Sequence, residues 1–143
     1  MDYIKWISTI VVFVIGLYVT IKHFKTVRTI SYIERMNNPS MVEIRQAVDQ
    51  WIDSSDSDED RMQMINDDPK LKAQVRIFYN LLTELAIAYN YKIVNKKITR
   101  VIWRNIIIEY WEKLSFYINH ESSPKHVLGS NLRKLFEDIN KKS

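Results

Sequence analysis

The chain has 143 residues, 21 Lys+Arg against 17 Asp+Glu, a formal charge of +4, 46% hydrophobic residues, no Cys and two Gly. That length makes one domain with room for an appendage, and the composition is too apolar for a disordered chain. The missing cysteines exclude a disulfide scaffold and any Cys-ligated zinc or iron–sulfur centre, and two glycines do not build a Gly-rich phosphate loop.

No residue from Trp6 to Ile21 is charged. As a helix this run is about 24 Å long, short of a hydrocarbon core of about 30 Å. The flanks make up the difference. Lys5 and Lys22 can snorkel, and Trp6 and Tyr18 are the amphipathic aromatics that favour the headgroup level. The run therefore predicts a transmembrane anchor within residues 1–24, and the bilayer is the first expected partner. Two other readings compete. A cleaved signal peptide is disfavoured by the mixed charge before the run and the lack of a small-x-small site after it. A buried core helix is disfavoured because the run is apolar on all sides. Lys22, Lys25 and Arg28 follow the run and only Lys5 precedes it, which places the N-terminus outside and the C-terminal part in the cytoplasm. Thr9, Phe13, Gly16 and Thr20 share one face, and Gly16-x-x-x-Thr20 is a small-x-x-x-small spacing that suits self-association into a homo-oligomer.

Residues 25–37 continue the helical period and read as a juxtamembrane stalk, with Phe24, Val27, Ile30 (with Ser31) and Ile33 (with Met36) as its stripe; bending onto anionic lipid is the alternative. Residues 38–143 read as one cytosolic α-helical domain. Asn38 caps a helix opened by Pro39, with Ser40-x-x-Glu43 as an alternative capping box, and Met41, Ile44, Val48, Trp51 and Ile52 fall on one face. Within the acidic stretch Asp53–Asp60, Asp56-x-Asp58-x-Asp60 resembles the start of a calcium loop, but Arg61 stands at the sixth position, where that loop needs Gly, and Asp67 at the twelfth, where it needs Glu. It reads instead as a solvated loop capping a short helix over 59–66. Asp67-Asp68-Pro69 opens the clearest helix, where Leu71, Val75, Phe78, Leu82, Leu85 and Tyr89 recur at spacings of four and three, widened by Ile77, Leu81 and Ala88. Asn95 caps a short helix over 96–102, a further helix covers 103–119, residues 120–124 form a loop, and a last helix covers 130–140. Strand signals are absent, so the fold class is all-α: a single N-terminal transmembrane helix followed by a compact bundle.

Charge divides by position. Residues 34–68 hold ten acids and three bases, and residues 69–143 hold six acids and fourteen bases. The two halves can attract each other within one domain or between copies. The basic residues are scattered, which disfavours nucleic acid as a partner.

The residues offer little chemistry. His23, His120 and His126 lack metal-helix spacing, and no Arg stands four to six residues before a His as in helical RNases. Nucleophilic catalysis lacks a Cys or a serine in a glycine turn. Glu84, Glu109 and Glu112 are carboxylates on neighbouring helices, but ion pairing with Arg100, Arg104 or Lys113 is the simpler reading. The expectation is no enzyme, no cofactor and no metal.

Three stretches, Phe78-Tyr-Asn-Leu-Leu-Thr-Glu-Leu-Ala-Ile-Ala-Tyr89, Lys92-Ile-Val-Asn95 and Ile107-Ile-Glu-Tyr-Trp-Glu-Lys-Leu114, together resemble an uncharacterised prokaryotic family known as domain of unknown function 4760, over about residues 34–139. The resemblance implies a helical fold, commonly with an N-terminal transmembrane helix, and carries no catalytic residues. Lys96-Lys97 stand where acidic residues are usual in it. Phe78, Leu82, Leu85, Tyr110 and Trp111 read as core anchors. The expected function is a non-enzymatic membrane-anchored module whose cytosolic domain binds a protein partner or self-assembles. The alternatives are an oligomeric pore-forming or depolarising effector in antiviral, CRISPR-accessory-like defence, and an RNA-binding helical domain.

Overall fold

The ends of the helices follow from local chemistry. The computed structural model describes residues 2–121 and 127–141. Among these residues there are six helices and no strand: α1 (Asp2–Asn37), α2 (Pro39–Ile52), α3 (Asp58–Asp67), α4 (Pro69–Asn90), α5 (Lys96–Glu121) and α6 (Val127–Asn140). Asn38 caps α2 by accepting from the Ser40 N–H at 3.1 Å, with Pro39 at the first helical position where its missing donor costs nothing. Ser57 caps α3 through the Asp60 N–H, and three acids sit in that first turn, where the helix dipole favours them. Asp68 caps α4 by accepting from the Lys70 and Leu71 N–H groups at 2.9 and 3.0 Å. The acidic stretch therefore serves α3 as its N-terminal cap, and Asp58 closes an ion pair with Arg61 at 3.0 Å.

α4 is the centre of the bundle, and α2, α3, α5 and α6 all pack on it. Phe78, Leu82 and Leu85 are buried as their spacing predicts, with Val75 and Tyr89 above and below them. α4 and α5 form an antiparallel hairpin in which Phe78 meets Tyr110 at 4.6 Å and Tyr79 meets Tyr117 at 5.8 Å, both edge-on, the geometry that aromatic quadrupoles prefer. α6 returns antiparallel along α5, placing Trp111 on Phe136 with centroids 5.1 Å apart. Tyr110 donates to Asp49 of α2 at 2.8 Å, which satisfies its hydroxyl inside the core.

Several expectations change. No break occurs between residues 102 and 103: neither Pro, Gly nor a cap interrupts the run, so one helix of 26 residues replaces the two expected. Its seam is Trp103, Ile107, Tyr110, Leu114, Tyr117 and Ile118, and Trp103, read from the sequence only as a helix start, is a fully buried core residue. Trp111 is half-buried at the edge of the core rather than at its centre, and Ile77 remains 46% exposed because no helix covers that side of α4. The expected loop over 120–124 lies partly outside the described residues, as does His126; α5 itself runs to Glu121.

The largest difference concerns residues 25–37. α1 is one uninterrupted helix, but its second half is packed against the bundle instead of standing free as a stalk. Thr29 and Met36 are buried, Tyr32 and Ile33 pack on the core, and Arg35 pairs with Glu84 of α4 at 2.7 Å. The packed face is Thr29, Tyr32, Ile33 and Met36, so Ile33 and Met36 of the expected stripe pack while its Phe24, Val27 and Ile30 point away and stay exposed. Every residue from Trp6 to Phe24 is exposed. The helix that carries this segment, Trp6–Asn37, is by length and composition long and apolar enough to cross a membrane.

Truncating Trp103 to Ala removes a filled core position and should cost about 3–5 kcal/mol, whereas Ile77→Ala should stay within about 0.5 kcal/mol. Denaturant unfolding of the detergent-solubilised chain, followed by circular dichroism, compares the two.

Candidate membrane-anchoring site

The exposed apolar segment meets the bundle at one corner, where the α4–α5 connection touches α1. The connection starts with an unusual backbone. Lys92 has φ = 59°, the positive-φ position among described non-glycine residues. Its N–H donates to the Tyr89 carbonyl at 3.1 Å, and the Ile93 N–H donates to the Ala88 carbonyl at 2.8 Å. This pair of bonds closes a helix end around a left-handed residue, a place usually given to Gly because a Cβ is disfavoured there.

Val94 then buries, and Asn95 begins α5. The Asn95 side chain accepts from the Ile98 N–H at 3.2 Å, the capping role its position predicts. Its backbone N–H crosses to α1 and donates to Thr29 Oγ1 at 2.9 Å, and the Thr29 hydroxyl donates in turn to the Lys25 carbonyl at 2.8 Å. Thr29 is fully buried, so this relay is shielded from water. It ties the start of α5 to α1 one turn beyond the apolar segment.

The first turns of α5 are held from the other side as well. Tyr89 donates to Asp138 of α6, while Arg100 donates to the Tyr89 hydroxyl at 2.8 Å and to Asp138 at 2.9 Å. The Lys96 ammonium lies 4.5 Å from the centroid of the Tyr89 ring. Burial, and then the hydrogen bond to Asp138, push the Tyr89 hydroxyl up to about 12, while donation from Tyr89 and then Arg100 holds the Asp138 carboxyl below its usual range against the opposing effect of burial. Three helices are thereby locked around residues 96–100.

The corner gathers charge that the sequence scatters. Lys22 and Lys25 of α1 and Lys92, Lys96 and Lys97 of the corner line one cavity of about 400 Å³. Tyr18 and Ile21 form its apolar side. Tyr91 and Ile93, in the same connection, are 72% and 39% exposed. At the opposite end of α5, about 30 Å away by helix rise, Phe116 and His120 border α3 with its Asp58 and Glu59. Lysines thus gather at the corner and the acids of α3 at the opposite end of α5, where Lys72 at the start of α4 also lies, donating to Asn66 at 3.2 Å; Lys113 and Asp49, one from each half, pair directly at 3.7 Å.

The expected anchoring residues Trp6, Tyr18 and Lys22 all lie on the exposed segment; the Lys5 side chain lies outside the described residues. Thr9, Phe13, Gly16 and Thr20 are exposed along it, and Thr20 donates to the Gly16 carbonyl at 2.8 Å. A Cβ added at Gly16 would meet no atom within 4 Å. Among the carboxylates considered for chemistry, Glu84 pairs with Arg35, and Glu109 pairs with Lys113 at 2.8 Å. Among the described residues no three His, Cys, Asp or Glu side chains gather as a metal site would require. Thr29, Asp138 and the Tyr89–Arg100 contact were not singled out from the sequence, since a threonine on an apolar helix and an acid 38 residues from its arginine carry no local signal.

A family model described as a domain of unknown function (DUF4760) matches residues 6–139, so the match begins inside the apolar segment and extends well ahead of the residues 34–139 that carry the resemblance. Neither the curated proteins nor the solved structures contain a match.

Thr29→Val keeps the side-chain shape but strands the Asn95 N–H, and should cost about 1–3 kcal/mol in denaturant unfolding. The Asp138 carboxyl is depressed in the folded state, so its contribution is present above the ordinary carboxylate range and is lost as pH falls through its folded value. Asp138→Asn should therefore flatten the acid limb of a melting-temperature-against-pH profile.

Proposed function

The chain belongs to the family described as a domain of unknown function (DUF4760), whose model takes in apolar helix and bundle as one unit, and from that unity we propose a non-enzymatic single-pass membrane protein. Its helical domain binds a protein partner, or further copies of itself, at the cytoplasmic face of a prokaryotic inner membrane, with the N-terminus outside. The observation that carries this reading is the continuity of α1. One helix passes from a wholly exposed apolar segment, residues 6–24, into a segment packed on the bundle, with no break between them. Apolar surface of that length left bare in water costs about 25 cal/mol per Å², and a bilayer removes the cost. Lysines at the base of the segment support the inside placement of the domain, because basic residues flanking a span favour the cytoplasmic side.

Self-association is supported by the exposed Thr9, Phe13, Gly16 and Thr20 face, where the small Gly16 lets a second helix approach closely. Pore formation is a finer version of the same assembly.

Two measurements test the proposal. A fluorescent reporter that matures only in the cytoplasm, fused after Ser143, should glow, and an exported phosphatase at the same place should be inactive; the reverse pattern overturns the orientation. Gly16→Leu meets no steric obstacle in the single chain, so it should shift the detergent-solubilised protein toward monomer by native mass. Unchanged oligomer size rejects the Gly16 face, and a ring with a central channel in single-particle images would establish the pore.

A further inference from the structure

We propose that the cavity between α1 and the α4–α5 corner binds the phosphate headgroup of an anionic phospholipid. This rests on the membrane reading above and adds to it a built site with a ligand class. Five lysines, Lys22, Lys25, Lys92, Lys96 and Lys97, line the cavity, and among the described residues no acidic side chain does; Lys96 also borders Asp138 on its other side. None of the five takes part in an ion pair among the described residues. Like charges gathered this way repel one another, and a bound anion relieves that repulsion.

Three features make the anion a lipid headgroup. Tyr18 and Ile21, on the apolar segment itself, form one side of the cavity, which suits the glycerol and first acyl carbons below a phosphate. Lys22 lies directly after the uncharged run and Lys25 one turn further, so in a bilayer the cavity falls at headgroup depth. Tyr91 and Ile93 expose apolar surface from the same connection, as interfacial residues do.

The lysines are also positioned. The Tyr89 ring holds Lys96, and the Tyr89–Asp138–Arg100 contacts hold the turn that carries it. The Thr29 relay keeps the corner against α1, so cations 67 or more residues apart in sequence face one cavity. Lys92 occupies a left-handed position that Gly would fill with less strain, and by standing there it supplies a cation to the cavity.

The test uses the full chain in nanodiscs of equal parts phosphatidylcholine and phosphatidylglycerol, with retained lipid counted by native mass spectrometry. The wild-type protein should retain phosphatidylglycerol preferentially. Each lysine contributes about fivefold, so Lys96→Gln with Lys97→Gln should lower that preference about 25-fold. Lys70→Gln with Lys72→Gln removes the same charge from the far end of α4 and should leave the preference unchanged. An equal loss in both double variants, or none in the first, overturns the site. Lys92→Gly should melt at a higher temperature than wild type yet retain about fivefold less phosphatidylglycerol; retention equal to wild type counts against the cavity. Inorganic phosphate that binds in pure phosphatidylcholine discs and displaces phosphatidylglycerol would assign the site to a soluble phosphate and overturn the lipid. Failure to enter either disc sinks the membrane reading and this one with it, whereas entry without headgroup preference overturns this one alone.

Discussion

The arrangement of this protein depends on one junction, the buried hydroxyl of Thr29. It accepts from the Asn95 backbone and donates to the Lys25 carbonyl, so a single side chain satisfies a cap residue of α5 and holds it against α1. Water is excluded there, and a stranded donor would cost far more than the bond itself contributes. Because the junction sits just past the apolar segment, the bundle is seated at the base of that segment instead of hanging from a tether.

Seating the bundle has electrostatic consequences. α4 ends and α5 begins at the corner, so the lysines of residues 92–97 meet those of α1, while the acids around α3 are carried to the other end of α5. Charges scattered along the sequence are thereby gathered into local clusters, although Lys72 stays beside α3 through its bond to Asn66.

Much of the architecture was legible in the sequence. The 3.6-residue periodicity of α4, with Phe78, Leu82 and Leu85, placed the core correctly, and Asn38, Asp68, Pro69 and Asn95 marked helix starts that the structure keeps. These signals are local: a cap bonds to groups two or three residues away, and a stripe follows from backbone geometry alone. The face on which α1 docks was legible only in part. Phe24, Val27, Ile30, Ile33 and Met36 form one stripe by spacing, and only the neighbouring helices decide that Ile33 and Met36, with Thr29 and Tyr32, are covered while the others stay exposed. Ile77 and Trp103 were misjudged for the same reason, because burial depends on which sides of a helix are covered.

By itself, then, the sequence determined a helical chain with an uncharged N-terminal run, a core seam on α4 and an uneven charge along its length, since each of these is set by residue type and short-range spacing. Tertiary structure alone decided that residues 25–37 pack on the bundle, that Tyr89, Arg100 and Asp138 close into one contact, and that five scattered lysines share a cavity. The physical reason is range. Propensity and capping act within a turn or two of the chain, whereas those three features require segments tens of residues apart to be brought together by the burial of the core.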